Sequence, residues 1–408
     1  MSAFLQLALI IAVILLAAKS AGYLSVRLGQ PSVLGELLVG ILLGPSLLDI
    51  LHLSFLDGHR LGETIQELGE LGVLLLMFIA GLELHLDELT RNTRVSAFAG
   101  ILGVLTPVLL GTTTGLLFHF DWDTAIFLGL TLGATSVSIS AQTLMELRVL
   151  RTRVGLGLLG AAVFDDILVI LLLSVFLAFT AGSTSLASIL YILVRMLLFL
   201  VLSTLFGLYL LPRLVRATAR LPISQGVLSL GMVVLLFYGV AAEALGGMAA
   251  ITGSFLAGLM FARCSEKERL EQGIVAMAYG LFVPVFFVSI GLQVNVRSLE
   301  VTALALTGAI ILVAVASKFL GSGLGARWGG FTWRESWQLG AGMVSRGEVG
   351  LIVANVGILA GLVAESEFSA IVGMVLATTL VTPPILRALF AGSKEAPANA
   401  IAPNGKEA

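Results

Sequence analysis

The sequence predicts an all-α integral membrane protein of about thirteen transmembrane helices, arranged as an inverted-topology repeat with two broken helices. The 408 residues are 58% apolar and 12% charged, whereas soluble domains carry about 25% charged residues. Because each crossing needs about 20 apolar residues, the chain has room for roughly thirteen spans and their connections. This composition excludes a soluble globular enzyme. A net charge of -2 gives no reason to expect a nucleic-acid partner.

Apolar runs of span length follow one another along the chain. The first, at residues 1–20, has no basic residue before it and no convincing cleavage site, so we interpret it as a span rather than a secretory signal. Twelve further runs are separated by glycine, proline and charged clusters, and they lie at about 32–50, 68–86, 95–119, 124–143, 155–180, 186–212, 224–245, 247–262, 273–293, 301–325, 336–360 and 367–390. The short alternating strands of a membrane barrel are absent from the sequence, so these spans are predicted to be helices.

Basic residues gather in the connections that follow odd-numbered spans. Even-numbered connections are poor in them, with Arg60 and Arg297 as exceptions. The basic residues of the seven odd connections are Arg27; Arg91 and Arg94; Arg148, Arg151 and Arg153; Arg213, Arg216 and Arg220; Arg263, Lys267 and Arg269; Arg327 and Arg334; Arg387 and Lys394. Since cytoplasmic loops are enriched in Lys and Arg, this pattern predicts an amino terminus outside the cell membrane and a cytoplasmic tail at 391–408.

The two halves of the chain resemble each other. LGVLLLMFIAGLELHLDEL, which ends at Leu89, aligns with LFVPVFFVSIGLQVNVRSL, which ends at Leu299, at an offset of 210 residues. The third span thereby aligns with the tenth, seven spans along, so the second copy must enter the membrane in the opposite direction. Inverted repeats are typical of secondary transporters, whose site lies near the midplane between the halves. The alternative is chance similarity between Leu- and Gly-rich segments.

Asp165, Asp166 and Lys318 are ionisable side chains that the sequence predicts well inside apolar helices, where a charge costs about 2.5–3.5 kcal/mol. Asp165 and Asp166 are neighbours within the apolar run GAAVFDDILVILLLS, and adjacent helical residues point about 100° apart, so the two carboxylates should meet different partners. Such a pair suits a site that takes up and releases protons. Lys318 either extends to the interface or pairs with a buried group, for which an aspartate of the first half is the natural candidate.

Two spans carry polar runs that predict broken helices. TLGATSVSISAQ places Thr135 and Ser136 at mid-membrane, and GAGMVSRGEVGLIVANVG places Ser345, Arg346 and Glu348 there. The two runs coincide at the repeat offset. Unwound backbone offers carbonyl oxygens to a cation and leaves helix dipole ends that Arg346 and Glu348 can compensate. The alternative for each hydroxyl is a hydrogen bond to a backbone carbonyl one turn earlier.

Together these motifs resemble the monovalent cation:proton antiporter-2 family of sodium/proton and potassium/proton exchangers. The resemblance covers residues 1 to about 390. It rests on motifs that occur in the family's order, namely RLGQPSVLGELLVGILLGP, LGVLLLMFIAGLELHLDEL, FDD, PVFFVSIGLQVN, the SK of the eleventh span and SRGEVGLI. It implies a membrane antiporter unit over 1–390, working as a homodimer in lipid.

The family's architecture implies a six-helix core that contains two crossing broken helices and moves like an elevator against a dimerisation domain. By this resemblance, the core domain consists of residues from about 68–180 and 273–390. The dimerisation domain consists of residues from about 1–67 and 186–262.

The resemblance also implies a role for individual residues. It makes Asp166 the main ion and proton carrier, Asp165 the partner of Lys318, and the Thr135-Ser136 stretch part of the crossing. The glutathione-gated potassium efflux branch usually has Gln before Asp and a cytosolic nucleotide-sensing domain. This chain has Asp-Asp and ends soon after its last span, which favours sodium/proton exchange.

The resulting hypothesis is a secondary antiporter, and not an enzyme, that exchanges a monovalent cation for protons, with Na⁺ as the favoured cation. We expect no cofactor, and the sequence contains no phosphate-binding loop that could couple ATP. We expect no metal beyond the transported cation, because the four histidines, His52, His59, His85 and His119, all lie near predicted helix ends or loops. A K⁺/H⁺ antiporter or K⁺ efflux system is the alternative, and a passive cation channel is a remoter one. An intramembrane aspartyl protease would need its two aspartates on different helices.

Overall fold

The computed structural model describes residues 2–53, 56, 58–82, 92–180, 186–293, 304–347, 350, 353, 354, 357 and 361–391. Over these residues the regular structure is helical throughout, without a strand. Ten helices are long and apolar enough to cross a membrane, and two shorter apolar helices accompany them. The all-α membrane fold is therefore confirmed, while the count of thirteen spans stays a prediction.

Sixteen α-helices lie within the described residues. In chain order they are α1 (Ala3–Arg27), α2 (Ser32–Leu43), α3 (Gly58–Leu82), α4 (Thr93–Leu117), α5 (Trp122–Gly133), α6 (Val137–Glu146), α7 (Arg153–Thr180), α8 (Leu186–Leu205), α9 (Leu211–Ala219), α10 (Gly226–Ala241), α11 (Ala250–Phe261), α12 (Lys267–Met277), α13 (Val283–Leu292), α14 (Leu304–Gly329), α15 (Trp333–Gly342) and α16 (Glu365–Phe390). Single π-helical turns join α8 to α9 and α12 to α13, and a third extends α10.

One helix is shorter than the sequence predicted. The apolar run at 32–50 indicated a single span, but α2 ends at Leu43 and the chain turns away at Gly44. The cause is Pro45, because a residue that precedes proline is disfavoured in the helical region. Gly44 is accordingly extended, with φ -77° and ψ -173°.

The first half-helices of the two predicted broken spans, α5 and α15, are built alike. Asp121 is the N-cap residue of α5, and its carboxylate accepts from the backbone N–H groups of Asp123 and Thr124 at 3.1 Å. Thr332 is the N-cap residue of α15 and forms a reciprocal capping box with Glu335. A side-chain cap satisfies the orphan N–H groups of a first turn. Both half-helices are therefore anchored at their starts and stop inside the molecule.

The helices pack in two groups. In the first, α4 lies against α5, α7 and α14, and α14 lies against α15 and α16. In the second, α3 packs on α11 and α13, α2 packs on α1 and α13, and α10 packs on α11. The sequence-based core included 68–82 and 273–292, whereas these segments lie in α3, α12 and α13, among the helices of the second group. The division into moving domains stays a prediction.

Close glycine contacts relate the two halves. Gly40 of α2 lies so near α13 that a Cβ there would collide with the carbonyl oxygen of Val288. Gly258 of α11 lies so near α3 that a Cβ would collide with the carbonyl oxygen of Phe78. Val288 and Phe78 are separated by the same 210 residues as the sequence repeat. Each half therefore lends a short glycine-bearing helix to the other half in the same way, which agrees with an inverted repeat.

Candidate functional site

The two broken spans meet at their unwound stretches. α5 ends at Gly133 and α6 starts at Val137, while α15 ends at Gly342. Between them, the N–H of Ser136 donates to the carbonyl of Ser345 at 3.0 Å. The Ser345 hydroxyl donates back to the Ser136 carbonyl at 2.5 Å. The unwound stretches of the two halves are thus in direct contact.

Two buried cations lie against the carbonyl ends of the half-helices. Arg346 is fully buried and donates to the Leu132 carbonyl at 2.7 and 3.1 Å. The Lys318 ammonium donates to the Gly133 carbonyl at 2.7 Å. Arg346 also donates to the Met343 carbonyl at 3.3 Å. Since the last carbonyls of a helix carry a partial negative charge, these side chains stabilise helix ends that stop inside the protein.

Asp165 of α7 forms an ion pair with Lys318 of α14. The Oδ1 and Nζ atoms are 2.5 Å apart, and neither side chain is more than 1% exposed. Thr135 lies close to the same carboxylate. Its Oγ1 and the Oδ2 of Asp165 have no hydrogen-bond partner in the described part of the chain. The pair therefore joins α7 to α14 and leaves two polar atoms at the crossing unsatisfied, which is costly for buried groups.

Asp166 points to a different place, a small cavity. It is 8% exposed, whereas Asp165 is fully buried. The cavity has about 20 Å³ of space between α7, α6, α3 and α11. It is lined by Met77, Val137, Leu159, Ala162, Val163, Asp166, Ile251, Thr252 and Phe255. One water needs about 10–15 Å³, so the space next to Asp166 fits one water or one small dehydrated cation.

Thr252 is a site residue that the sequence analysis did not single out. Its Oγ1 donates to Asp166 Oδ2 at 2.8 Å from the first turn of α11. A threonine in an apolar helix ordinarily bonds a carbonyl of its own helix, as Thr131 does with the carbonyl of Phe127 at 2.9 Å. The only signal in the sequence was a hydroxyl within the apolar run 247–262, which does not distinguish the two cases.

Glu146 is a second polar residue that the sequence motifs do not reveal. It ends α6, and its carboxylate accepts from the N–H and the hydroxyl of Ser32, both at 2.6 Å. Ser32 is the first residue of α2, where a negative charge is favourable. Gln142 also donates to Glu146, at 2.8 Å, and accepts from the hydroxyl of Tyr279 at 2.8 Å. These bonds tie the far end of the broken span to α2 and to the turn after α12.

The predicted crossing residues lie together wherever the structure describes them. Thr135, Ser136, Ser345 and Arg346 are all buried there. Glu348, the remaining predicted member, lies outside the described residues. The structure thus brings the residues of two distant motifs into one site, while their parts in transport stay predictions.

The chain resembles one family of known proteins over nearly its whole length. The sequence profile described as sodium/hydrogen exchanger, transmembrane, matches residues 10–392, nearly the whole chain. The chain belongs to the sodium/hydrogen exchanger family. A sodium/hydrogen exchanger is a multi-pass membrane transporter and not an enzyme, and its activity is the antiport of a monovalent cation and protons.

Individual relatives agree with the family. The exchanger is 43% identical over 378 residues to the probable Na(+)/H(+) antiporter GerT of Bacillus cereus, covering 93% of this chain and 98% of that one. It is 41% identical over 385 residues to the Na(+)/H(+)-K(+) antiporter GerN of Bacillus cereus, covering 94% of this chain and 96% of that one.

A solved structure shares the exchanger's fold. The sodium proton antiporter MjNhaP1 from Methanocaldococcus jannaschii aligns with a TM-score of 0.64 at 18% identity. The alignment covers 95% of this chain and 96% of that one. At this identity the likeness concerns the fold alone, and it extends over the whole helical assembly.

Proposed function

We propose that this exchanger carries Na⁺ and protons alternately on the carboxylate of Asp166. The observation that carries the proposal is the position of Asp166, the one charged side chain among the described residues that line the cavity. A carboxylate binds Na⁺ when it is ionised and carries a proton when it is neutral. One group that holds either but never both, and that faces each side of the membrane in turn, makes the exchange obligatory.

Asp165 and Lys318 give the cycle a second ionisable group. Asp165 is the residue next to Asp166, and its Oδ1 lies 2.5 Å from Lys318 Nζ. A cation that draws on Asp165 as well as Asp166 competes with the Lys318 ammonium for that carboxylate. Lys318 then gives up its proton, because an ammonium without a counter-charge is unstable in a buried site. In this proposal the cycle is electrogenic.

The alternating access is proposed to be of the elevator type. We take α4 to α7 with α14 to α16 as the moving unit, because these helices pack on one another and carry both broken spans. The cavity at Asp166 supports this boundary, since α6 and α7 line one wall and α3 and α11 line the other. A sliding motion between the walls would expose Asp166 to each side in turn.

The working environment is proposed to be a cell membrane, with the amino terminus outside and the protein as a homodimer. Large apolar side chains are exposed along α1, α8 and α10, among them Leu16, Leu197 and Phe237. Such surfaces are stable against lipid or against a second copy. Orientation rests on the basic residues in the odd connections.

A potassium/proton exchanger is the second candidate. It is favoured by one observation, the 41% identity to a relative whose name includes K(+) beside Na(+). The cavity of about 20 Å³ favours the smaller ion, because K⁺ needs more space and longer distances to its oxygen ligands. Adding Na⁺, Li⁺ and K⁺ in turn to the same proteoliposomes distinguishes the two.

The deciding experiment changes the carrier. Asp166→Asn keeps the shape of the side chain but cannot ionise, so it should abolish cation-dependent proton flux in proteoliposomes. Asp166→Glu should restore part of the flux, because its longer stem keeps the charge but moves the oxygens by about one bond length, which weakens a closely held ion site. Proton flux is followed with a pH-sensitive dye on adding Na⁺.

A matched control removes the same charge elsewhere. Asp123 is exposed in the first turn of α5, and Asp123→Asn should leave the flux unchanged. Correct folding of each variant is checked by its elution as a single peak in detergent. Substantial exchange by Asp166→Asn would remove Asp166 from the centre of the mechanism.

A further inference from the structure

We propose that Thr252 is a specificity-determining residue of the ion site, supplying the second side-chain oxygen to the cation that Asp166 binds. The inference rests on the proposed function. It concerns a residue of α11, a helix of the second packing group, whereas the other candidate residues of the site lie on α5 to α7, α14 and the stretch after α15.

The cavity wall offers few oxygen atoms to a cation. Of its described lining residues, Asp166 and Thr252 are polar, and the other seven are apolar. A cation that gives up its hydration shell needs oxygen ligands in exchange. In a space of about 20 Å³ there is no room for a full shell of water. The side-chain oxygens available on the wall are therefore those of Asp166 and Thr252.

The Thr252 hydroxyl lies in position to contact both Asp166 and a cation bound to it. Thr252 is 4% exposed, and its Oγ1 lies 2.8 Å from Asp166 Oδ2. A hydroxyl donates one hydrogen bond and has two lone pairs. Donation to the carboxylate holds Asp166 in position and favours its ionised form, while the lone pairs stay available to a cation. Both effects act in the same direction, towards tighter binding of the cation.

The size of the effect follows from the chemistry. A hydrogen bond to a charged group contributes about tenfold or more in an equilibrium constant. Removing the Thr252 hydroxyl should therefore weaken cation binding without changing the carrier itself. At constant pH, loss of the hydroxyl should raise the KM for the cation. Loss of a residue that only supports packing would instead lower protein stability or kcat.

The experiment measures Na⁺-driven and Li⁺-driven proton flux in proteoliposomes that contain the full chain. Thr252→Val removes the hydroxyl and keeps the shape, Thr252→Ala removes it without adding a methyl group, and Thr252→Ser keeps it. The matched control is Thr114→Val, because the buried Thr114 hydroxyl donates to the Leu110 carbonyl of its own helix at 2.8 Å. The rise in melting temperature on adding NaCl in detergent reports binding independently of transport.

The expected result is a KM for Na⁺ raised about tenfold or more in Thr252→Val and Thr252→Ala, with kcat within about twofold of the unchanged protein. Thr252→Ser should restore the KM to within about threefold, and Thr114→Val should match the unchanged protein. The two hydroxyl-free variants should need correspondingly more NaCl for the same rise in melting temperature. An altered ratio of the Li⁺ and Na⁺ KM values would further support a ligand role.

Two results would overturn the inference. An unchanged KM in both hydroxyl-free variants would show that Thr252 does not act on the cation. A loss of kcat at unchanged KM would assign it to packing or to movement of α11. Failure of the proposed function looks different, because then the unchanged protein would show no cation-driven proton flux at all.

Discussion

The Asp165–Lys318 pair decides how the buried charges of the site are balanced. Taking two ions out of water is expensive, and their attraction offsets this only when the geometry is good and other hydrogen bonds are made. Lys318 meets that condition, because it donates to Asp165 at 2.5 Å and to the Gly133 carbonyl at 2.7 Å. Asp165 meets it on one oxygen only, since its Oδ2 lacks a hydrogen-bond partner among the described residues. An ion pair that is satisfied on one side only is suited to open during a transport cycle.

A double-mutant cycle tests this pair. Lys318→Ala and Asp165→Asn should each lower the melting temperature in detergent, because removing one partner leaves the other uncompensated, typically at a cost of about 3–5 kcal/mol. The double variant should lose less than the sum of the two single variants. The coupling energy of the pair is the loss in free energy of unfolding of the double variant minus the sum of the losses of the two single variants.

The control for this cycle is a pair of distant residues. Arg334→Ala combined with Asp165→Asn should give additive losses, because Arg334 lies at the exposed start of α15. Additive losses for Lys318 and Asp165 as well would contradict their coupling. The electrogenic cycle would then lose its structural basis, and a one-for-one exchange on Asp166 would be the better account.

At this scale the sequence predicted some contacts and not others. Asp165, Asp166 and Lys318 could be found because an ionisable residue inside an apolar run is rare and expensive. Thr252 and Glu146 could not. A hydroxyl in a membrane helix costs little free energy, so it is common there. A glutamate at a helix end cannot be distinguished in the sequence from any solvent-exposed glutamate. Their partners, Asp166 and Ser32, are brought near only by the tertiary fold.

At the scale of the element, the two broken spans show how a helix can stop inside a membrane protein. The first half-helix of each predicted broken span, α5 or α15, has a capped start. Lys318 and Arg346 donate to the last carbonyls of α5, and Arg346 also donates to the Met343 carbonyl at the end of α15. The sequence predicted the breaks from runs of small and polar residues, and it assigned Arg346 to a dipole end. It could not predict that Lys318 contacts the Gly133 carbonyl as well as Asp165, because backbone carbonyls are the same in every residue and give no sequence pattern.

The start of α5 allows a test of its cap. Hydrogen bonds from the Thr124 N–H and hydroxyl lower the pKa of the exposed Asp121. A carboxylate with a lowered folded-state pKa stabilises the fold fully above the ordinary Asp pKa of about 3.9, and this stabilisation is lost as the pH falls through the folded-state value. Asp121→Ala should therefore destabilise the protein at pH 7, by about 1 kcal/mol.

The measurement is the melting temperature in detergent between pH 7 and pH 3. The difference between the unchanged protein and Asp121→Ala should shrink below about pH 4. Asp121→Asn is the control, because asparagine caps about as well as aspartate but carries no charge. Its stability difference from Asp121→Ala should not depend on pH in this range. A constant difference between the unchanged protein and Asp121→Ala would show that the carboxylate's charge is irrelevant to the cap.

At the scale of the whole molecule, the inverted repeat places the site. The short helices α2 and α11 each lie against the opposite half, and Ser136 of one half is hydrogen-bonded to Ser345 of the other. A site formed between two halves of opposite direction lies near the membrane midplane, where a small movement can open it to either side. The repeat could be read from the sequence because both copies kept the glycines that close packing requires.

The repeat requires opposite directions of insertion, so the direction of the first broken span can be tested. Asp123 and Arg151 are exposed and flank α5 and α6. The basic connections predict that Arg151 lies in the cytoplasm and Asp123 outside. An impermeant thiol reagent added to intact cells should therefore label Asp123→Cys and leave Arg151→Cys unlabelled.

The native thiol must first be removed, although it is a poor target. Burial raises the pKa of the Cys264 thiol to about 11, and the thiolate is the reactive form. Both variants are therefore made with Cys264→Ser, and permeabilised cells provide the control in which both should react. The opposite labelling would invert the whole molecule and place the basic connections outside. Labelling of both cysteines in intact cells would mean that α5 and α6 do not cross the membrane together, and the crossing of two broken spans would then lose its basis.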